Sequence, residues 1–338
     1  MAEEAREQQK AVPLGKRIHR RWKQARRKVL GVSVRGLIGV LSFFPFGLSR
    51  RILPGFTRFL ARPLLRKQIL ENLDLAYGES MTKIQKNSIV RKICTNLGYS
   101  MAETLALYRG RLPVDSIEPG NTVEAIKSLL DEGKGLILVT AHMGNWEALA
   151  FHAARSFPDV PGAGIAKRNS NPEFQRLAER TRAKTGIETF YQDDSPRAAI
   201  RHLSKGGYLA VVPDQDMRAL AGIFLPFFGR DAYTPIGPAT LSVVSGSPML
   251  VVTSFREAGG LLHAECFEPI RPEKGANRQQ EVERLTRAWS DQVEQSIRAH
   301  PADWMWFHQR WRTTPQSLQA RRDRLKRQFH QQRRDSGS

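Results

Sequence analysis

Hydrophobic positions follow two different periods along this chain. From Arg58 to Tyr108 they recur at helical spacing among strong helix formers, which predicts a helical region with a helix start near Met81 and Thr82. After Pro113, short apolar runs alternate with helical stretches of roughly 10–15 residues. This alternation predicts an α/β fold with a largely parallel central sheet flanked by helices.

The elements predicted after Pro113 are short and regularly spaced. The apolar runs predict strands over residues 135–141, 162–166, 208–213, 249–255 and 261–267. Helical spacing predicts helices over residues 145–156, 172–185, 195–204, 238–245 and 278–300.

Positive charge is concentrated at the two ends of the chain. The 338 residues include 53 Lys and Arg against 33 Asp and Glu, a formal net charge of +20. Residues 1–28 carry ten Lys or Arg and three acids, and residues 308–338 carry nine and two. Basic arms of this kind bind anionic polymers or lipid headgroups, and each Lys or Arg near an anionic membrane contributes about 1 kcal/mol. We therefore expect an anionic membrane surface as a partner.

A nucleic-acid-binding protein is the alternative that this charge suggests. The charge is terminal, however, and the sequence has neither a recognition helix nor an RNP-like aromatic motif. We therefore expect no nucleic-acid partner.

An uncharged stretch of fourteen residues, 36–49, follows the N-terminal arm. A bilayer crossing needs about 20 apolar residues, and Pro45 and Gly47 shorten any helix here further. The stretch predicts an interfacial or re-entrant helix, with a buried core helix and a marginal membrane span as alternatives. We therefore divide the chain into four parts: a basic arm (1–28), a helical membrane-associating region (29–112), an α/β domain (113–315) and a basic tail (316–338).

Candidate catalytic residues follow the first strand of the α/β domain, where active sites of such sheets lie. His142 comes directly after the strand, Gly144 permits a tight turn, and Asn145 can cap the helix that carries Glu147. We predict that Glu147 folds back to one imidazole nitrogen and leaves the other nitrogen as a general base. Such a dyad has no nucleophile of its own and suits a hydroxyl brought by the substrate. The alternative is a structural His142 that caps a helix or satisfies a core hydrogen bond.

The same spacing of His and Glu recurs at His263 and Glu268, inside and just after an alternating strand. No glycine turn or capped helix accompanies it, so we predict a structural role there. An α/β hydrolase would also use a histidine at a strand end, but the sequence has no G-x-S-x-G elbow.

A second polar group follows another predicted strand and consists of Asp214, Gln215 and Asp216. These residues could bind a metal, orient a polar headgroup or hydrogen-bond turn amides. No convergent His or Asp spacing supplies further ligands, and Cys94 and Cys266 form no Cys-x-x-Cys pattern. We therefore expect neither a metal nor a disulfide framework.

A third polar cluster follows residues 162–166 and consists of Lys167, Arg168, Asn169 and Asn171. Two cations and amide donors beside a helix that opens with Pro172 suit a phosphate or carboxylate ligand. The alternative is an ordinary solvated loop.

Five ordered motifs carry a resemblance to a known family: HMGNWE, AKRNSNP, VPDQD, LPFFGRDAYTPIGPATLS and HPADWMWFHQRWRTTP. They resemble the late acyltransferases of lipid A biosynthesis, of the lauroyl/myristoyl type, in the lysophospholipid acyltransferase superfamily. The resemblance covers about residues 30–315 and extends to mycobacterial phosphatidylinositol mannoside acyltransferases. It implies that the α/β domain transfers an acyl chain from acyl carrier protein or coenzyme A to a hydroxyl of a glycolipid, a lipid A precursor. It implies a place at the cytoplasmic face of the inner (plasma) membrane. The apolar stretch 36–49 departs from the clear hydrophobic helix common in the family, so we expect a peripheral or weakly anchored protein, and we expect no cofactor.

The resemblance also assigns roles residue by residue. His142 would be the general base and Glu147 its orienting carboxylate in the family's His-x4-Glu/Asp motif. The turn would be shaped by Gly144 and Asn145, and residues 214–216 would line the site. Residues 167–172 match the family's Lys-Pro-Leu-x-Asn-Pro loop only in part, because Arg168 and Asn169 replace its Pro and Leu. Acylation of another membrane lipid, such as a phosphatidylinositol mannoside-like acceptor, is therefore an alternative.

An acyl chain requires an apolar groove. The candidate linings are residues 225–228 (LPFF) and the aromatic cluster Trp304, Trp306, Phe307 and Trp311. The same side chains are equally suited to a protein core or a membrane interface.

Overall fold

The computed structural model describes residues 43–169 and 171–335, together with Gly36 and Gly39. The basic arm 1–28 and residues 37, 38 and 40–42 of the apolar stretch 36–49 lie outside these residues, so the roles predicted for the arm and the stretch stay predictions. Within the part of the chain that is described, no helix has both the length and the apolar character needed to cross a bilayer.

Two long helices precede the sheet in the described part of the chain: α1 (Phe46–Tyr77) and α2 (Lys83–Tyr108). Thr82 caps α2 in a reciprocal capping box with Gln85, as the predicted helix start requires. The two helices pack so closely that a Cβ on Gly98 would lie 2.5 Å from the backbone of Leu53. A residue without a side chain at this position therefore allows the helical pair to form.

A seven-stranded sheet forms the centre of the molecule, in the order β1-β9-β8-β2-β5-β3-β4. The strands from β8 to β4 in this order pair in parallel, whereas β9 pairs antiparallel with β8. A separate antiparallel hairpin is formed by β6 and β7. The predicted α/β class with a mostly parallel sheet is confirmed. The strands are β1 (Ile117–Glu118), β2 (Leu136–Val139), β3 (Gly162–Ala166), β4 (Ile187–Tyr191), β5 (Tyr208–Val211), β6 (Gly222–Phe227), β7 (Arg230–Pro235), β8 (Met249–Arg256) and β9 (Leu262–Cys266).

Helices flank the sheet and leave its central strands buried. They are α3 (Thr122–Leu130), α4 (Trp146–Ser156), α5 (Pro172–Lys184), α6 (Arg197–Ser204), α7 (Gly237–Ser245), α8 (Arg278–Ala299) and α9 (Pro315–Asp335). Alternate side chains of β2 enter two separate cores, with Leu136 and Leu138 in one and Ile137 and Val139 in the other. Each fully buried aliphatic side chain contributes about 1.5–3 kcal/mol. The residues that follow β2 are therefore attached to one of the most firmly held parts of the fold.

The sequence pattern missed α3, β1, β4 and the β6–β7 hairpin. The hairpin turn places Phe228 and Gly229 at φ angles of 53° and 71°. A two-residue turn of this type normally carries Asn-Gly or Asp-Gly. Because this turn carries Phe-Gly instead, the sequence does not indicate a hairpin here. The bulky Phe228 is accommodated because its ring packs in the core against Tyr77, Phe227 and Trp306.

Candidate active site

The turn after β2 places His142 at the carboxyl edge of the parallel sheet. Its carbonyl accepts a hydrogen bond from the Met305 amide, and the Gly144 amide donates to the Asp303 carbonyl at 2.9 Å. Gly144 has a φ of 59°, and a Cβ there would lie 2.4 Å from the Ser254 carbonyl oxygen. This turn can therefore form only with glycine at position 144, as the sequence suggested.

The carboxylate that contacts the His142 ring belongs to Asp214. Nδ1 of His142 lies 2.6 Å from Oδ1 of Asp214, and the His142 amide donates to Oδ2 at 2.9 Å. The Trp304 indole donates to the same Oδ2 at 2.8 Å. The Asp214 side chain is only 1% exposed, whereas the His142 side chain is 21% exposed. The pair therefore joins a buried carboxylate to a ring that solvent or substrate can reach.

The surroundings of Asp214 keep it ionised. Burial by itself raises its pKa, but the charge and hydrogen bond of His142 and the bond from Trp304 outweigh burial and lower the pKa to about 2. An ionised carboxylate on Nδ1 holds the proton on that nitrogen and leaves Nε2 as the basic atom. The chemistry predicted for His142 therefore requires Asp214 as its orienting partner.

The prediction that Glu147 orients His142 was wrong in its choice of carboxylate. Glu147 stands in the first turn of α4 and accepts hydrogen bonds from Nη2 and Nε of Arg182, at 2.6 and 3.4 Å. The reason lies in the sheet, where β2 and β5 are parallel neighbours and Val139 pairs with Val211. His142 and Asp214 each lie three positions beyond those paired residues, so the two side chains meet at one edge.

Asn145 caps α4 as predicted and also contacts a buried ion pair that sequence reasoning missed. Its Oδ1 accepts from the Ala148 amide, and its Nδ2 donates to Glu103 at 2.8 Å. Glu103 in turn binds Arg256 at 2.6 Å, with both side chains 1% exposed. The pair joins α2 to β8 beneath the His142 turn, and only the buried setting of two charged residues distant in sequence could have revealed it.

The remaining residues of the Asp214–Asp216 group have different surroundings. Asp216 accepts from the amide and hydroxyl of Thr313 at 2.6 and 2.7 Å, which anchors the segment before α9. Gln215 is half-buried. Only Asp214 of this group contacts His142 among the described residues.

The loop after β3 lies on the surface. Arg168 pairs with Asp193 and Asp194 and covers the Tyr191 ring, 3.9 Å from its centroid. Asn169 receives a hydrogen bond from the Asn171 amide, and Asn171 is buried. Lys167 is exposed. Arg168 is therefore already held by two acids, which leaves Lys167 as the more accessible cation of the loop.

An apolar cavity lies between the sheet and α4, beside the Glu147–Arg182 pair. Both members of the pair line it, and so does Trp146, whose ring centroid is 4.7 Å from that of His142. Apolar side chains from α3, α4 and five strands make up most of its wall; they include Ile126, Leu138, Leu149, Ala153, Ile165, Ile187, Ala210 and Val252.

The structure assigns the two predicted groove linings to the core instead. Leu225, Phe227 and Phe228 are buried in the β6–β7 hairpin, and Trp304 and Trp306 are buried against them. Phe307 and Trp311 pack partly buried against the same core. These aromatic side chains fill space that an acyl chain would need, so the prediction of a groove at this position was wrong.

The second histidine pattern is structural in its contacts. Nε2 of His263 lies 3.3 Å from Glu257 on the same β8–β9 hairpin, and its ring stacks on Phe255. The His142 ring has a different histidine beside it, His308, at 5.7 Å between ring centroids. Burial and the neighbouring His142 lower the pKa of His308, which favours its neutral form.

Fold and site together define a class of protein: an α/β protein in which a buried carboxylate orients an imidazole, and the imidazole contacts a tryptophan that lines an apolar cavity. A model of the bacterial lipid A biosynthesis acyltransferase family matches residues 18–313. The chain belongs to this family and is an acyltransferase.

Several characterised relatives share most of the chain's length. The lipid A biosynthesis lauroyltransferase of Escherichia coli K12 is 25% identical over 304 residues, which cover 86% of this chain and 93% of the relative. A phosphatidylinositol mannoside acyltransferase of Mycolicibacterium smegmatis is 22% identical over 275 residues, covering 79% and 86%. The lipid A biosynthesis palmitoleoyltransferase of Escherichia coli K12 is 22% identical over 264 residues, covering 76% and 82%. The relatives thus include enzymes for two kinds of glycolipid.

Proposed function

We propose that this acyltransferase moves a fatty acyl chain from an acyl thioester to a hydroxyl group of a lipid A precursor. The thioester is carried by acyl carrier protein or coenzyme A. The proposal is supported chiefly by one observation: His142, fixed by the buried Asp214, contacts Trp146, which lines an apolar cavity of a kind that an acyl chain requires.

His142 acts as the general base in this proposal. Its Nε2 removes the proton from the acceptor hydroxyl while the oxygen attacks the thioester carbonyl, and Asp214 stabilises the imidazolium that forms. Collapse of the tetrahedral intermediate breaks the carbon–sulfur bond and gives an ester, and the departing thiolate takes the proton back from His142. The substrate brings the nucleophile, so no acyl-enzyme forms.

Arg182 and Glu147 have a role different from that of the His142–Asp214 pair. Arg182 is the positively charged side chain in the described lining of the cavity, and its ion pair with Glu147 fixes the direction of the guanidinium. A fixed cation beside the reacting carbonyl stabilises the negative charge that develops on its oxygen. Glu147 is thus a positioning residue for Arg182.

The acceptor headgroup is assigned to the outer edge of the site. Lys167 is an exposed cation, and the exposed Asn169, whose Oδ1 accepts from the amide of the buried Asn171, adds a side-chain amide before α5. This set suits a phosphorylated or sugar headgroup. A phosphatidylinositol mannoside-like acceptor is the second candidate, favoured by the relative from Mycolicibacterium smegmatis and by the atypical Arg168 and Asn169.

We propose that α1 holds the enzyme at the cytoplasmic face of the inner membrane. Seven large apolar side chains stand exposed along this helix: Leu48, Ile52, Phe56, Phe59, Leu60, Leu64 and Leu75. Exposed basic residues lie between them: Arg51, Arg58, Arg66 and Lys67. An apolar stripe flanked by cations suits a helix lying in the headgroup region of anionic lipid. The arm 1–28 adds charge to the same end of the chain.

Mass spectrometry of membrane lipids tests the proposal directly. Cells that contain the full chain or His142→Ala at matched protein levels are compared after lipid extraction. We expect one additional ester-linked acyl group on lipid A precursors with the full chain and none with His142→Ala. The same increment on a different glycolipid would assign the second acceptor, and identical lipid profiles would refute acyl transfer by this site. His263→Ala is the matched control, since this histidine lies outside the site.

A further inference from the structure

Two polar atoms in the apolar cavity beside α4 have no hydrogen-bond partner. Nε2 of His152 and Oγ1 of Thr140 are both buried, and neither contacts a donor or acceptor among the described residues. Both residues line the cavity that holds the acyl chain in the proposed function. Buried polar atoms in folded proteins nearly always pair with protein or with ordered water, so these two atoms can accept water or a polar group of a bound ligand as their partner.

His152 is suited to a neutral hydrogen bond. Burial, followed by the charge of Arg155, lowers its pKa, so the ring is uncharged at neutral pH. A neutral imidazole offers one donor and one acceptor, and a threonine hydroxyl offers both functions. The partner therefore needs no charge, and a hydroxyl group can pair with either atom.

The two unpaired atoms of His152 and Thr140 lie at different depths relative to the reacting centre. Thr140 precedes His142 by two positions and lies on the same sheet face as Leu138, the face that α4 covers. Trp146, which contacts the His142 ring, begins α4, and His152 lies six residues further on, about 9 Å along the helix axis. Thr140 thus lies near the end that bears the thioester, and His152 lies further into the cavity.

We propose that the cavity selects acyl chains that carry a hydroxyl group, with His152 as the main hydrogen-bond partner and Thr140 as the second. This inference rests on the proposed function. A chain without a hydroxyl would fill the cavity but leave both buried polar atoms unpaired. Sites built to bond a substrate hydroxyl reject the analogue that lacks it for this reason.

The test measures donor preference with the purified full chain. Acyl thioesters of one chain length, unsubstituted or hydroxylated at C2, at C3 or mid-chain, are offered pairwise to a lipid A precursor, on both carriers. We expect the wild type to prefer one hydroxylated donor over the unsubstituted chain by about 10–100-fold in kcat/KM. His152→Phe should abolish this preference, and Thr140→Val should reduce it. His152→Gln, which keeps a hydrogen-bonding group, should retain part of it.

Controls separate hydrogen bonding from a change of shape. Leu149→Met alters the wall of the same cavity without a polar group, so the hydroxyl preference should survive even if total turnover changes. Thermal unfolding of His152→Phe should match or exceed that of the wild type, because the substitution removes an unpaired buried atom.

The outcomes distinguish the inference from the function on which it rests. A wild type that favours the unsubstituted chain, or a preference that survives His152→Phe, overturns the hydroxyl inference and leaves acyl transfer intact. Absence of transfer from every donor overturns the proposed function itself, and the inference with it.

Discussion

Nδ1 of His142 lies 2.6 Å from Oδ1 of Asp214, although 72 positions separate the two residues. Strand pairing explains the contact, since each residue lies three positions beyond a valine of the Val139–Val211 pair in adjacent parallel strands. The buried carboxylate orients the imidazole, and the imidazole lowers the pKa of the carboxylate. Removal of the carboxylate therefore leaves the imidazole without its orienting partner, and removal of the imidazole raises the pKa of the carboxylate.

Asp214→Asn should leave the fold intact and lower kcat by about 10²–10⁴-fold. The amide can still bond Nδ1, but it favours the tautomer with the proton on Nε2, where it blocks base catalysis. Steady-state kinetics with circular dichroism on the same samples provides the measurement. Turnover within threefold of the wild type would show that Asp214 does not orient the base.

Glu147→Gln should distinguish the role of the Glu147 carboxylate from that of the Asp214 carboxylate. The variant loses the ion pair with Arg182 but leaves the His142–Asp214 pair in place, so kcat should fall by less than it does in Asp214→Asn. Steady-state kinetics of the two variants, measured side by side on folded protein, checks this order. A larger loss of kcat in Glu147→Gln than in Asp214→Asn would restore Glu147 as the partner of His142.

Gly144→Ala should damage both stability and activity. The added Cβ would meet the backbone of Ser254 at a position where φ is already positive, so the turn that carries His142 must shift. We expect a loss of about 1–3 kcal/mol in the free energy of unfolding and at least a tenfold loss of kcat. Gly246→Ala is the control, because its φ of 75° imposes similar backbone strain in open space. Equal activity losses in both variants would mean that close packing at Gly144 is unimportant.

Asp303 should make stability depend on pH. Burial raises its pKa to about 7, although Arg256, Asn96 and Lys92 favour the charged form. The folded state therefore binds more protons than the unfolded state between about pH 4 and 7, and stability falls as pH rises through this window. Asp303→Asn should flatten that slope in thermal unfolding curves measured from pH 5 to 8. A slope unchanged by the substitution would assign the pH dependence to another group.

Membrane binding should depend on the exposed face of α1. Phe59→Glu places a charge in the apolar stripe and should reduce co-flotation with anionic vesicles by several-fold. Ile84→Glu is matched to it, because Ile84 is also 80% exposed but lies on α2. Equal binding by both variants and the wild type would exclude this face.

The N-terminal arm provides a second, electrostatic test of membrane binding. Deletion of residues 1–28 removes ten Lys or Arg and three acids and should weaken association with anionic vesicles most strongly at low salt. Neutral phosphatidylcholine vesicles are the control and should show no difference. Binding that is unaffected by the deletion would remove the arm from the membrane interface.

Some features followed from local sequence. The period of the hydrophobic positions predicted the α/β class, and β3 begins and ends where its apolar run does, at Gly162 and Ala166. Thr82 and Asn145 cap their helices as their side chains predict. Gly144 adopts the positive φ that the turn after β2 requires. These features depend on interactions between residues a few positions apart, so they can be predicted from the local sequence.

The pairing of carboxylates was decided by tertiary structure alone. Glu147 is five positions from His142 and Asp214 is 72, so local spacing favoured the wrong residue. Strand order and register brought Asp214 to the imidazole and directed Glu147 to Arg182 on α5. The position of the cavity was decided in the same way, because it is bounded by side chains from α3, α4 and several strands. The sequence by itself thus determined which chemical groups were present, whereas the sheet determined which of them are in contact. The reason is that contacts between residues distant in sequence depend on strand register and packing rather than on their spacing along the chain.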